Sequence, residues 1–291
     1  MKKIQALYDR EFNSYFHTLY GYVFTAFIIL VASIYTVGDC IRGRSANFAG
    51  VVGSMSFIYL IVIPILTMRV FAEERRQKTE QLLYALPVSM GQVVIGKFLA
   101  LISVLALPII VMAAYPLILN FYADVDLLAA YCALIGFYLC GCALCAIGMF
   151  LSSLADNQAV AAGMCFVAML LLFFLSSLAN LVSSSASATL LAAAVLVLLV
   201  GLLCLSLTKS KNVSLTITGV LEGLLLVAYF LWKDHFTGVF PAVMKKLSVF
   251  DRYYVFLDGI FDWAGLVYLF SFVAVFLLLT TLSMEKRRWN G

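Results

Sequence analysis

The chain has 291 residues, 64% of them apolar and 12% charged, where an ordinary soluble domain carries about 25% charged residues; with a mean hydropathy of +1.06, a water-soluble globule is excluded. A net charge of +4 gives no support to nucleic-acid binding, and seven cysteines, mostly inside apolar runs, do not form a secreted disulfide framework. The composition is that of an all-α polytopic membrane protein with short loops and no room for a soluble catalytic domain.

The first element, within residues 1–19, is amphipathic. Ile4, Leu7, Tyr8, Phe12, Tyr15 and Phe16 recur at helical spacing opposite Lys3, Arg10 and Asn13, which predicts a helix lying in the membrane interface. Asp9, Arg10 and Glu11 occupy the place of a signal peptide's apolar core, so the first span is expected to remain uncleaved. The transmembrane domain is then expected over 20–291. Apolar runs predict about eight spans, at 20–37, 49–70, 93–119, 127–154, 159–178, 189–207, 213–232 and 264–282. Each is too long for a barrel strand, so each is read as a helix that satisfies its own backbone in lipid. Placing both termini in the cytoplasm puts most of the 19 basic residues inside, leaving Arg42, Arg44, Lys233, Lys245, Lys246 and Arg252 outside.

Two loops stand out. The cytoplasmic segment 71–92 is the most charged stretch. Within it Thr79 can cap a short helix over 80–86, with Glu80 in the first turn and Pro87 ending it. Leu82, Leu83 and Leu86 then form an apolar ridge suited to a groove on a cytoplasmic partner, the plainer reading being a charged loop that anchors two spans. The outer segment 233–263 interleaves aromatic and charged residues, with Pro241 able to start a helix. It reads as one or two interfacial helices, or equally as a lid packing on a partner subunit.

Four patterns bear on chemistry. Gly91–Lys97 has the spacing of a phosphate loop up to its lysine, but Phe98 replaces the metal-binding hydroxyl and no strand precedes it. Glu73 and Glu74 resemble a protease glutamate pair, but His17 and His235 are the chain's two histidines and fall on opposite sides, so the pair reads as a solvated charged face and no metal site is expected. Cys140, Cys142 and Cys145 read as small packing residues beside Gly136, Gly141, Ala143 and Gly148. Glu222, deep in a predicted span between Gly219 and Gly223, could line a polar pocket or fix a helix pair.

The run E-E-R-R-Q-K-T-E-Q-L-L-Y-A-L-P-V-S, followed by G-K-F, resembles the loop between the second and third spans of ABC-2 type permeases, particularly those like the gliding-motility permease. D-R-E-F before the first span, S-S-L-A-D-N-Q after the fourth, G-I-F-D before the last and the closing E-K-R-R-W agree with it. The resemblance implies a dimeric permease, of identical or different chains, docked on a separate cytoplasmic ATPase that holds ATP and Mg, so that this chain binds no cofactor of its own. It implies a coupling helix at Thr79, Glu80, Leu82, Leu83, Leu86 and Pro87, and an elbow helix bearing Tyr8, Arg10, Glu11, Phe12 and Phe16. Relatives commonly have Gly where this chain has Lys78, and many have six spans.

The leading expectation is therefore the membrane subunit of an ATP-driven exporter of an amphipathic or lipid-like compound, multi-pass in a bacterial plasma (inner) membrane and not itself an enzyme. The rival readings are an ion-coupled secondary transporter using Glu222, and a membrane scaffold or sensor that docks a cytoplasmic partner.

Overall fold

A computed structural model describes residues 2–43, 45–79, 88–181 and 239–290. The regular elements among them are all helical, and besides a π-helical stretch at Thr36–Arg42 and a 3-10 turn at Met55–Ile58 they are α-helices. They are α1 (Lys2–His17), α2 (Leu19–Tyr35), α3 (Phe48–Ser54), α4 (Tyr59–Thr67), α5 (Ala72–Arg76), α6 (Met90–Met112), α7 (Ala114–Asn120), α8 (Leu127–Leu154), α9 (Gln158–Leu181), α10 (Val239–Leu247), α11 (Val249–Leu257) and α12 (Trp263–Asn290). Six stretches of the described residues are long and apolar enough to cross a membrane: Leu19–Arg42, Phe48–Arg76, Met90–Asn120, Leu127–Leu154, Gln158–Leu175 and Trp263–Arg288. The expected spans at 189–207 and 213–232 lie outside the described residues. The protein is an all-α, multi-pass membrane protein.

Two compact units divide the chain, one made of residues 1–173 and 252–291, the other of 174–251. In the second, the last turn of α10 carries Lys245 and Lys246, where cations complement the carbonyl end of a helix. Ser248 follows and accepts from the Asp251 amide at 3.1 Å, capping α11.

In the first unit α8 is the central helix. It starts on Asp126, whose side chain accepts from the Ala129 amide at 3.1 Å, and its neighbours are α3, α4, α6 and α12. Its apolar window is 72% buried, against 22% for the first span and 17% for each of the fifth and the last. Small residues make the centre possible. A Cβ on Gly148 would fall 2.4 Å from Thr67 Oγ1, and one on Gly136 would fall 2.6 Å from Phe256 Cβ, so α4 and α11 approach α8 to distances that any side chain there would block. Cys140 and Cys145 are fully buried along the same helix.

The polar groups brought inside are satisfied, as a hydrocarbon surrounding requires. Tyr59 stacks on Phe137 with centroids 4.3 Å apart and donates to the Phe137 carbonyl at 2.7 Å. Tyr253, wholly buried, donates to the Val52 carbonyl at 2.9 Å. The segment expected in the outer interface therefore does more than lie there, since Tyr253 and Phe256 are buried among the spans of this unit.

Overpacking at the tightest contact is expected to cost about 1–3 kcal/mol. Gly148→Ala should lower the thermal midpoint of the purified protein in mild detergent, whereas Gly163→Ala, with nothing within 4 Å of the added carbon, should leave it unchanged.

Candidate functional site

At one end of the first unit, α1 packs along the first half of α6. The packing follows from the stripe on α1, where positions 4, 7, 8, 11, 12, 15 and 16 turn inward while 3, 5, 6, 9, 10, 13, 14 and 17 stay exposed. Leu7 fits against Gly96, its Cβ only 3.0 Å from where a glycine substituent would stand. Tyr8 stacks on Phe12, Phe12 meets Phe16 at a tilt and Phe16 meets Tyr22 edge to face, while the Tyr8 hydroxyl donates to Ser103 Oγ at 3.3 Å. Tyr15 donates to the Leu66 carbonyl at 3.3 Å, and burial pushes its phenol well above the usual value.

The exception on this apolar stripe is Glu11, and its partner is Lys97. Ser89 and Gln92 start α6 with a reciprocal capping box, and two turns later Lys97 points at α1. Its side chain is 1% exposed. The ammonium donates to Glu74 Oε1 at 2.8 Å, to Glu11 Oε1 at 3.2 Å and to the Val70 carbonyl at 2.9 Å. Arg10 joins the same two carboxylates, at 2.6 Å to Glu11 and 3.2 Å to Glu74. Two cations thus balance two anions. Burial alone would push the Glu11 carboxyl up, but Lys97 and Arg10 outweigh it and hold it below the usual carboxylate range. The lysine of the phosphate-loop lookalike is consumed by this cluster, within a continuous helix.

A second set of contacts ties the same end to the fourth, fifth and last spans. Ser152 Oγ accepts from the amides of Phe71 and Ala72, at 3.2 and 3.4 Å, and donates to the Met68 carbonyl at 3.4 Å. Arg75 donates to the carbonyls of Ala155 and Ser153 and pairs with Asp156 at 3.6 Å. Asp156 also meets Arg287 at 3.5 Å, and Arg287 donates to the Leu154 carbonyl at 2.8 Å. Gln158 donates to Glu73. The reading of Glu73 and Glu74 as a solvated face is corrected here: both are largely covered and spoken for, because the ends of other spans supply partners that local sequence does not reveal.

The charged helix α5 ends in a Schellman turn. The Lys78 amide donates to the Arg75 carbonyl at 3.0 Å and the Thr79 amide to the Glu74 carbonyl at 2.9 Å. Lys78 takes φ = 56°, the one positive φ on a non-glycine residue among the described residues. It adopts the left-handed form for which glycine is the default residue. Thr79 also donates its hydroxyl to Glu74 O at 3.2 Å. Glu80, Leu82, Leu83, Leu86 and Pro87 lie outside the described residues, as does Glu222.

Sequence reasoning named Tyr8, Arg10, Glu11, Phe12, Phe16 and Thr79, which the structure places at this end, but it missed Lys97, Arg75, Ser152, Asp156 and Arg287 as their partners. Two signals were available: Lys97 is the single charge within the apolar run 90–120, which demands an anion, and Glu11 falls on the apolar stripe of α1.

Removing a buried pair's cation costs about 3–5 kcal/mol, while an exposed pair contributes about 0–1 kcal/mol. Lys97→Met is therefore expected to lower the unfolding midpoint in detergent severely, and Arg10→Ala, whose side chain is 52% exposed, only slightly. A left-handed L-residue costs about 1–2 kcal/mol. Lys78→Gly should accordingly slow proteolytic cleavage near residue 79 and Lys78→Val should accelerate it.

No curated protein matches the chain significantly. The family described as ABC-2 family transporter protein matches residues 4–289, a span that includes α1, both halves of the ion cluster and the basic end of α12. The chain belongs to the ABC-2 transporter family, as its multi-pass membrane component.

Proposed function

We propose that the chain is the permease subunit of an ATP-driven exporter of an amphipathic or lipid-like compound, with ATP and Mg held by a separate cytoplasmic ATPase. It works as a dimer in a bacterial inner membrane, with both termini cytoplasmic, in the manner of the gliding-motility permease group. The cargo class follows from the spans, whose few charges suit a molecule with apolar surface better than a small hydrophilic ion.

The observation that carries the reading is the double engagement of Glu74. Its carboxylate holds Lys97 and Arg10, and its backbone carbonyl receives both the amide and the hydroxyl of Thr79. Thr79 opens the segment 79–89 assigned to ATPase docking, where Glu80, Leu82, Leu83, Leu86 and Pro87 form the coupling helix. A push that arrives at Thr79 reaches α6 through Glu74 and Lys97, and α1 through Lys97 and Glu11. Nucleotide-driven closure of the ATPases thereby moves α1 and the span ends together, and the cavity between spans changes its exposure.

Purification in mild detergent is expected to bring down an ATPase subunit with the wild type, and a Leu82→Asp, Leu83→Asp double variant is expected to lose it while remaining folded and membrane-inserted. A wild-type preparation free of any ATPase, under conditions that preserve such complexes, would overturn the reading.

A further inference from the structure

At the charged end one half-buried cation differs from the rest. Lys97 is neutralised by Glu11 and Glu74, Arg75 by Asp156 and two carbonyls, and Arg287 by Asp156 and the Leu154 carbonyl. Arg69, between α4 and α5, meets no carboxylate or carbonyl among the described residues. It lies over the ring of Tyr20, with the guanidinium carbon 3.9 Å from the ring centroid, and near enough to the buried Tyr15 phenol to act on it electrostatically.

Stacking of this kind engages the face of the guanidinium and leaves its in-plane N–H donors unspent. Those donors form a planar fork that matches a phosphate or carboxylate in two-pronged fashion. The location says which anion can arrive. Tyr20 lies in the first turn of the first spanning helix, where that helix leaves the membrane, and Tyr and Arg at such a level sit among lipid headgroups. Around it Leu19, Tyr22 and Val23 are exposed, at 77%, 59% and 63%, and so form an apolar rim facing lipid.

We infer that Arg69 and Tyr20 form a headgroup site for an anionic phospholipid, at the turn from α1 into α2. The fork takes the phosphodiester, the Tyr20 ring holds the fork flat, and the rim of Leu19, Tyr22 and Val23 lies along the acyl chains. A free phosphate offers the same oxygens but gains nothing from that rim. A zwitterionic lipid brings an ammonium for which Glu11, already held by Lys97 and Arg10, offers no free carboxylate. The site stands apart from the transport reading, since it depends on bilayer depth and not on the cargo.

The test is native mass spectrometry of the full-length chain released from detergent and titrated with phosphatidylglycerol or phosphatidylcholine, with inorganic phosphate as competitor. Loss of a charge-assisted pair predicts that Arg69→Gln weakens the tightest phosphatidylglycerol binding about tenfold, with Tyr20→Leu weakening it less and Arg69→Lys recovering part of it. Phosphatidylcholine and millimolar phosphate should displace little. Unchanged phosphatidylglycerol binding in both Arg69→Gln and Tyr20→Leu overturns the inference, as does equal binding of phosphatidylcholine. Displacement by inorganic phosphate assigns the site to a free anion and overturns the lipid. Should Arg69→Gln not fold, Arg69→Lys and Tyr20→Leu keep the charge and decide the matter.

Discussion

A lysine ammonium with almost no access to water is the constraint around which one end of this protein is organised. Lys97 has a desolvation cost of several kcal/mol to recover, and a single carboxylate would leave two of its three donors unmet. It recovers the cost from three elements at once: Glu11 on α1, Glu74 on α5 and the Val70 carbonyl just before α5. The two carboxylates, in turn, could not lie side by side without the cations between them. Each charge therefore makes the position of the others necessary, and α1, which has no covalent reason to lie on α6, is held there by chemistry as well as by Leu7 against Gly96.

The rest of the first unit meets the same demand with neutral groups. Where α4 presses on α8 at Gly148, Thr67 turns its hydroxyl to the Ile63 carbonyl at 2.9 Å and so brings no unpaired donor into the contact. Ser152 does the same service at the end of α8, capping the amides of Phe71 and Ala72, which start a helix and have no intrahelical acceptor. Close approach and polar satisfaction are thus one requirement: small residues bring backbones together, and hydroxyls clear the donors and acceptors that closeness would otherwise strand.

Much of this was legible in the sequence. Apolar runs give the six spans seen among the described residues, because hydrocarbon thickness fixes their length. The stripe on α1 gives a helix and its inward face, and the glycines of α8 give its crowded position. Partner identity was not legible. Lys97 lies 86 residues from Glu11 and 23 from Glu74, and nothing local in E-E-R-R distinguishes a glutamate that faces water from one that faces a buried lysine. Nor does a lysine at 78 announce a left-handed turn, for which glycine is the default residue; the backbone adopts it there and accepts its steric cost.

The cross-ties also determine where the protein can yield. Separating α1 from α6 opens the Lys97–Glu11 pair, separating α5 from α6 opens Lys97–Glu74, and separating α5 from the fourth span strands Arg75 and the Ser152-capped amides. Each of those moves exposes or orphans a buried polar group at a cost of about 1–5 kcal/mol, so α1, the ends of the second and fourth spans and the start of the third travel as one body. The first and last spans have windows only 22% and 17% buried. The last span is nonetheless tied to this end through Arg287, which pairs with Asp156 and donates to the Leu154 carbonyl. Glu74, Lys97, Glu11 and Ser152 thus make the charged end a single tightly tied body, to which Thr79 is joined through the Glu74 carbonyl.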